Sequence, residues 1–511
     1  MSSLKKLAGQ TMWYGVSSMA ARFLFYLLTP YLTLKLSGTG YGDMSIMYAA
    51  IPFLNVIFTY GIETAYFRFA SKDEYKKDIY STATISILCS TVFLTAVLIF
   101  SKSSLAHLLR LDNNPELITY SALIIAFDTL ATLPFAKLRL DERPRKYAFI
   151  RIATILFQIA ITYFLISVCP KLAEENPDGF FGTFYQPDYG VGYVIIANLC
   201  ASFFALLLLH KEFFAFEFKF NKTVWAAMMV YSLPLLIAGF GGMINETFDR
   251  VMLSWLAPVT NIDDAKIQVA IYSGCYKLSI LITLFIQAFR MGAEPFFFKQ
   301  SEGQNPQKIY ARVMKFFVIT ITFMFLVVAM YIDIWKYFLS REIYWTGLKV
   351  VPILLLANMF LGIYYNLSIW YKLTHKTIAG AWITLIGAAI TLLINFIFIP
   401  YYGYMACAWA TFLCYGSMMV ISFLWGQKDY PVPYAWKKLV AYIVIVVLLN
   451  FVHEGVIYFS DDNIINFTSA TLLLMLYGWF ILQVERKEFQ RLPVVGKYFI
   501  PRNPDFNKTT D

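Results

Sequence analysis

The sequence predicts an all-α polytopic membrane protein of about fourteen transmembrane helices: two six-helix lobes around a central cavity, plus a C-terminal helix pair. Composition is the first observation. Of 511 residues, 59% are hydrophobic and 14% charged, against about 25% charged in a typical soluble domain. The second is the recurrence of apolar runs of about 20 residues, the length a helix needs to cross the hydrocarbon core. The third is the placing of Lys and Arg in short runs between those spans, as membrane topology requires.

In order, the spans run over 11–36, 43–69, 80–100, 117–137, 148–168, 191–210 and 228–257. They continue over 265–297, 310–331, 348–371, 377–399, 402–425, 437–458 and 465–483. They group as an N-terminal lobe at 1–210, a C-terminal lobe at 223–425, a terminal pair at 430–485 and a tail at 486–511. With the N-terminus inside, inside segments hold 28 Lys and Arg and outside segments 8. Both termini are therefore expected in the cytoplasm. The loop from Lys137 to Lys146, KLRLDERPRK, is the densest basic segment, while the longest outside loop, Lys171 to Gly190, is acidic and aromatic. The first span is too long for a signal peptide and lacks a small-residue cleavage site, so no cleavable leader is expected.

Several function classes are excluded. The formal charge of +10 belongs to topology, because no extended basic face with interleaved aromatics exists to hold a nucleic acid. No GxxxxGK[ST] loop is present, so the chain is no P-loop ATPase. His453-Glu454 lacks the second histidine of HExxH. The six cysteines show no CxxC spacing and the four histidines no ligand pattern, so neither metal nor cofactor is expected. No outside loop is large enough for a polymerase or glycosyltransferase site.

Weak internal similarity links the lobes. Arg22 precedes Pro30 by eight residues, as Arg250 precedes Pro258. In the next span Tyr41 precedes Glu63 by 22 residues, as Tyr272 precedes Glu294. This predicts parallel repeats of the kind common in transporters.

Charges inside the spans carry the functional reading. Each ionised group at the bilayer centre costs about 2.5–3.5 kcal/mol on insertion scales. INETFDRVMLSW, residues 244–255, nevertheless holds Glu246, Asp249 and Arg250, which one continuous helix would place on a single face. Arg22 and Lys277 are expected near the midplane, Asp128 midway along its span, and Glu63, Arg290 and Glu294 toward the cytoplasmic ends. A wet cavity between the lobes accounts for this concentration. Arg22, Arg250, Lys277 and Arg290 are the candidate substrate-binding cations; Glu63, Asp128, Glu246, Asp249 and Glu294 are candidates for gating or coupling. The competing reading is that these are buried ion pairs that fix helix packing.

The stretches LSGTGYGDMSIMYA, YSLPLLIAGFGGMINETFDRVMLSWL and AIYSGCYKLSILITLFIQAFRMGAEPFFFK resemble the multidrug/oligosaccharidyl-lipid/polysaccharide flippase superfamily. The resemblance covers about residues 1–485 and is strongest to the bacterial polysaccharide-transporter branch, which includes O-antigen flippases. It implies a non-enzymatic flippase of the bacterial inner membrane. Such a protein moves a polyprenyl-pyrophosphate-linked oligosaccharide by alternating access for polysaccharide or lipopolysaccharide assembly. Expected partners are that lipid-linked oligosaccharide, membrane lipids and a polymerase or glycosyltransferase complex. A peptidoglycan lipid II flippase and a cation-coupled multidrug exporter are the alternatives.

Overall fold

Thirteen helices among the described residues are long and apolar enough to cross a membrane, and they fall on the second to fourteenth expected spans. The structure is a computed structural model that describes residues 15–17, 19–70, 78–301, 303–460 and 462–490. The first expected span lies partly outside these residues; within them, 19–27 and Thr29–Lys35 are helical. No strand occurs among the described residues. Hydrocarbon offers no partner to a free N–H or C=O, so each crossing segment must satisfy its backbone internally, as helices do.

Helices overrun the hydropathy boundaries because polar residues at the rims continue the backbone ladder. The clearest case is Ile262–Gln300, a single helix of 39 residues. At 1.5 Å per residue it is about 58 Å long, nearly twice the hydrocarbon thickness.

Four spans expected to be continuous are interrupted, including the tenth span at Ser368, between Val351–Leu367 and Ile369–Leu373. The first is interrupted at Leu28, before Thr29–Lys35. The second stops at Thr59, where Tyr60 (φ 35°) and Gly61 (φ 73°) turn left-handed, and resumes as Ile62–Ala70. A Cβ on Gly61 would also sit 3.1 Å from Leu235 Cβ, so both the turn and the helix crossing favour glycine. The third, in the seventh span, separates Lys222–Glu246 from Phe248–Leu256 at Thr247. These interruptions do not follow the proposed repeat. Under the offset that matches Arg22 to Arg250, the interruption at Leu28 falls on Leu256 rather than Thr247. Under the offset that matches Tyr41 to Tyr272, Tyr60 and Gly61 fall on Met291 and Gly292, inside the unbroken Ile262–Gln300 helix.

The chain divides into two compact units, Met1–Pro306 with Lys336–Pro431, and Gln307–Trp335 with Val432–Asp511. Helix Pro306–Ala329, read from sequence as part of the C-terminal lobe, is thus grouped mainly with the terminal pair. Within that second unit, Thr322 and Tyr477 hydroxyls meet at 2.7 Å. Buried Glu485 takes Lys438 (2.5 Å), Lys315 (3.0 Å) and the Tyr442 hydroxyl (2.6 Å). Burial pushes the Glu485 carboxyl up, but these three donors outweigh it and hold the group below the usual carboxylate range.

In the first unit the basic loop is anchored in the same way. Glu212, 3% exposed, receives Lys146 at 2.7 Å and Arg143 at 2.8 Å, and its carbonyl accepts the Tyr80 hydroxyl at 2.5 Å. Burial raises the Glu212 carboxyl, but Lys146 first and Arg143 after it bring the group below its ordinary 4.5. A lowered folded-state pKa stabilises the protein above the ordinary value and is lost as pH falls through the folded one. Glu212→Gln is therefore expected to cost roughly 1–3 kcal/mol at pH 7. In detergent melts its deficit against the wild type should shrink below about pH 4.5. A deficit that stays constant down to pH 3 would rule out the ionic anchor.

Candidate functional site

The charges of residues 244–255 are explained by the helix interruption they occupy. At Thr247 (φ −135°, ψ −20°) the Lys222–Glu246 helix ends, and the Thr247 hydroxyl donates to the Met243 and Ala49 carbonyls, both at 3.2 Å. Arg250 then serves both broken ends. Its Nη1 donates to the Glu246 carbonyl at 2.9 Å, placing a cation at a helix C-terminus, where the backbone dipole favours one. The same nitrogen reaches Asp249 Oδ1 at 3.0 Å. Asp249 lies in the first turn of Phe248–Leu256, where an anion is favoured. It also accepts the Arg250 N–H (2.8 Å) and the Tyr272 hydroxyl (2.6 Å). Asp249 thus holds the guanidinium directly, while Glu246 contributes its carbonyl and a longer-range attraction.

Beside this interruption lies a cavity of about 1400 Å³. Its cations are Arg22, Arg139, Lys277, Arg290 and Lys372, and its acids are Glu246 and Glu294. A second chamber of about 330 Å³ adds Arg250, Ser45 and Ser273, and shares Glu246, Tyr276 and Lys277 with the first. Tyr364, Tyr365 and Tyr371 form an aromatic wall, with the Arg290 guanidinium 4.7 Å from the Tyr365 ring centre. Aromatic faces and hydroxyls suit the mixed apolar and polar surface of a sugar.

Pairing divides these charges into two groups. Arg139 forms an ion pair with Glu63. Glu294 holds Arg290 at 2.9 Å and Lys372 at 2.5 Å. Glu63 and Glu294 therefore each pair within their own sequence half here, not with each other's half. Arg22 donates to the Gln287 side-chain oxygen, and Lys277 lies 5.8 Å from the Phe25 ring centre. Neither of these two cations forms a salt bridge among the described residues. Of the sequence candidates, Arg22, Lys277, Arg290, Glu246 and Glu294 line the large cavity and Arg250 the small one, while Asp249 stands behind Arg250. Asp128 lines neither; its carbonyl accepts the Thr132 hydroxyl at 3.1 Å.

The cavity reaches Arg139, Phe298 and Lys372, at the ends that carry the basic loops. On the opposite side, close contacts join the helices. Asp43 and Lys266 pair at 2.9 Å with side chains 7% and 5% exposed. A Cβ added to Gly42 would stand 2.2 Å from the Lys266 carbonyl oxygen, so the two backbones touch there. Trp255 Nε1 donates to the Leu108 carbonyl at 2.6 Å, and Arg110 Nη2 to the Trp255 carbonyl at 3.0 Å. Sequence reasoning passed over Asp43 and Lys266, although opposite charges at the same-side ends of the second and eighth spans were a usable signal.

Residues 7–301 match a family model described as polysaccharide biosynthesis protein. The Lsg locus putative protein 1 of Haemophilus influenzae is 20% identical over 291 residues, which cover 56% of this chain and 64% of that relative. The match therefore spans less than two thirds of the relative's length. Among solved structures, the lipid II flippase MurJ in an inward closed conformation gives a TM-score of 0.69 at 14% identity, over 92% of this chain and 98% of that one. An inward-facing multidrug resistance MATE family transporter of the MOP superfamily gives 0.57 at 14% identity, over 84% and 95%. At such identities the likeness is one of fold.

Proposed function

We propose that this chain, which belongs to the polysaccharide biosynthesis protein family and has the flippase-like transporter fold, moves a polyprenyl-diphosphate-linked oligosaccharide across the bacterial inner membrane. It does so by alternating access, for polysaccharide or lipopolysaccharide assembly. The observation that carries this reading is the presence of Arg22 and Lys277 in the cavity with no acidic partner among the described residues. A diphosphate diester carries two negative charges, and stripping them of water without partners is prohibitive. Two cations in a wet cavity offset that cost through charge-assisted hydrogen bonds, with Arg250 close by at the helix interruption. The tyrosine wall takes the sugars, and the apolar tail stays in the bilayer. The same two cations argue against export of cationic drugs.

Lipid II shares the diphosphate, so a second reading rests on the same cations, and the sugar and peptide head distinguishes the two. The charge of the basic loops supports a cytoplasmic position for both termini. Cysteines introduced at 139–146 should accordingly be labelled only from inside, and those at 174–188 only from outside. A polymerase or glycosyltransferase complex is the partner class this role requires.

The test uses purified full-length protein in nanodiscs with undecaprenyl diphosphate as the probe. Lys277→Met and Arg22→Met should each weaken binding by about tenfold, the size of one charge-assisted contact. Undiminished binding by the double variant would remove the cations from substrate recognition. Depletion of the protein in cells should in addition make a lipid-linked glycan accumulate, and mass spectrometry of that glycan separates the oligosaccharide reading from lipid II.

A further inference from the structure

Glu246 is the acid in this cavity whose carboxylate stands near a cation, Arg250, without closing a salt bridge on it among the described residues. It borders both chambers, its side chain is exposed to them, and its carboxylate forms no salt bridge among the described residues. It is the last residue of the Lys222–Glu246 helix, where the backbone dipole disfavours a negative charge. The other acids at the site are committed: Glu63 to Arg139, Glu294 to Arg290 and Lys372, and Asp249 to Arg250. Arg250 donates to the carbonyl of Glu246 and feels its carboxylate at longer range. Lys277 borders the same two chambers with no acid beside it.

Resting on the diphosphate reading above, we propose that Glu246 is the resident counter-ion that the incoming diphosphate displaces from the cavity cations, and that it takes them back once the substrate has left. The reason lies in the empty half of the cycle. A carrier that has released its anion must return through a closed state with surplus positive charge and little water, which is costly. Glu246 sits at a break in the helix, where the end residue is not held by a continuing ladder, and both it and Lys277 have long, rotatable side chains. A salt bridge formed between the two would neutralise Lys277 for the return. Arrival of a diphosphate reverses the exchange, so Glu246 competes with substrate for the same cation.

This competition gives the test its sign. Purified full-length protein in nanodiscs is titrated with undecaprenyl diphosphate. Proteoliposomes are assayed for transfer of a fluorescent undecaprenyl diphosphate N-acetylglucosamine. Glu246→Gln, which removes the competing charge and keeps the shape, should bind the probe about tenfold more tightly. Its first turnover should match the wild type while its steady-state transfer falls by about tenfold, because the empty return is slowed. Glu246→Asp, which restores the charge, should bring both values back toward the wild type. Damage to the cavity would instead weaken binding. A folded Glu246→Gln protein with weaker or unchanged affinity, or with a slowed first turnover, overturns the exchange; if that variant does not express, Glu246→Ser carries the same expectations. Failure of the wild type itself to bind the probe, or indifference of binding to Lys277→Met, would instead overturn the diphosphate reading and this inference with it.

Discussion

Asp249→Ala is expected to be among the most damaging single substitutions in the chain. The Asp249 and Arg250 side chains are 4% and 12% exposed, and the carboxylate accepts from the Arg250 guanidinium, the Arg250 N–H and the Tyr272 hydroxyl. Removing it strands a nearly buried guanidinium and a buried hydroxyl. Breaking one side of a buried pair costs roughly 3–5 kcal/mol, a large share of a typical stability of about 5–15 kcal/mol. The variant should express poorly and lose thermal stability in detergent, followed by tryptophan fluorescence. Asp249→Asn keeps a carbonyl acceptor and should lose less. Sequence alone places Asp249 among gating or coupling candidates, and the geometry sets its carboxylate against Arg250 at the interrupted helix. An Asp249→Ala protein that melts like the wild type but no longer transports would return Asp249 to coupling.

Hydropathy made the spans legible because the membrane imposes the same demand on every crossing segment, and thirteen of the fourteen appear as long apolar helices among the described residues. The same criterion was blind to the interruptions. Around Thr247 the flanking residues stay apolar, so the run reads as one span of 228–257, whereas its continuity is decided by backbone angles at one residue. The three charges there are the visible trace of that interruption, although their spacing alone predicts one face of an unbroken helix. Sequence periodicity also matched Arg22 with Arg250, yet the two line different chambers and sit at different distances from their helix interruptions.

The cavity cations were legible where a charge stood deep in a span. Arg22 and Lys277 stand out this way, and Arg290 less sharply, toward the cytoplasmic end of its span. Arg139 and Lys372 do not, because basic residues at span ends are accounted for by topology and nothing local shows that they turn inward. Their partners are Glu63 and Glu294, 76 and 78 residues away in the chain, and such pairings exist only in the folded bundle. Asp128 illustrates the converse: a mid-span acid is conspicuous in sequence, but its helix Glu116–Leu140 does not bring it to either chamber's lining.

Breaking the Asp43–Lys266 pair is expected to open the side of the protein opposite the basic loops. The pair joins helix Gly38–Thr59 to helix Ile262–Gln300, one from each sequence half, at the place where Gly42 lets their backbones touch. Asp43→Asn leaves the Lys266 ammonium buried without a counter-charge, and the closed arrangement alone bears that strain, since opening returns the ammonium to water. A penalty of roughly 3–5 kcal/mol applied to one of two states shifts their ratio by about two to four orders of magnitude. Ser45 and Ser273 line the small chamber and report the change. In a background without the six native cysteines, a cysteine at either site should react with an impermeant maleimide mainly from the basic-loop side. Asp43→Asn should raise its reaction from the opposite side by about a hundredfold. Exchanging the charges, Asp43→Lys with Lys266→Asp, should return labelling toward the wild type, which distinguishes a broken gate from a generally loosened fold. Unchanged labelling in a well-folded Asp43→Asn protein would mean that the pair only staples two helices and that closure of this side rests on other contacts, with Trp255, Leu108 and Arg110 the next to test.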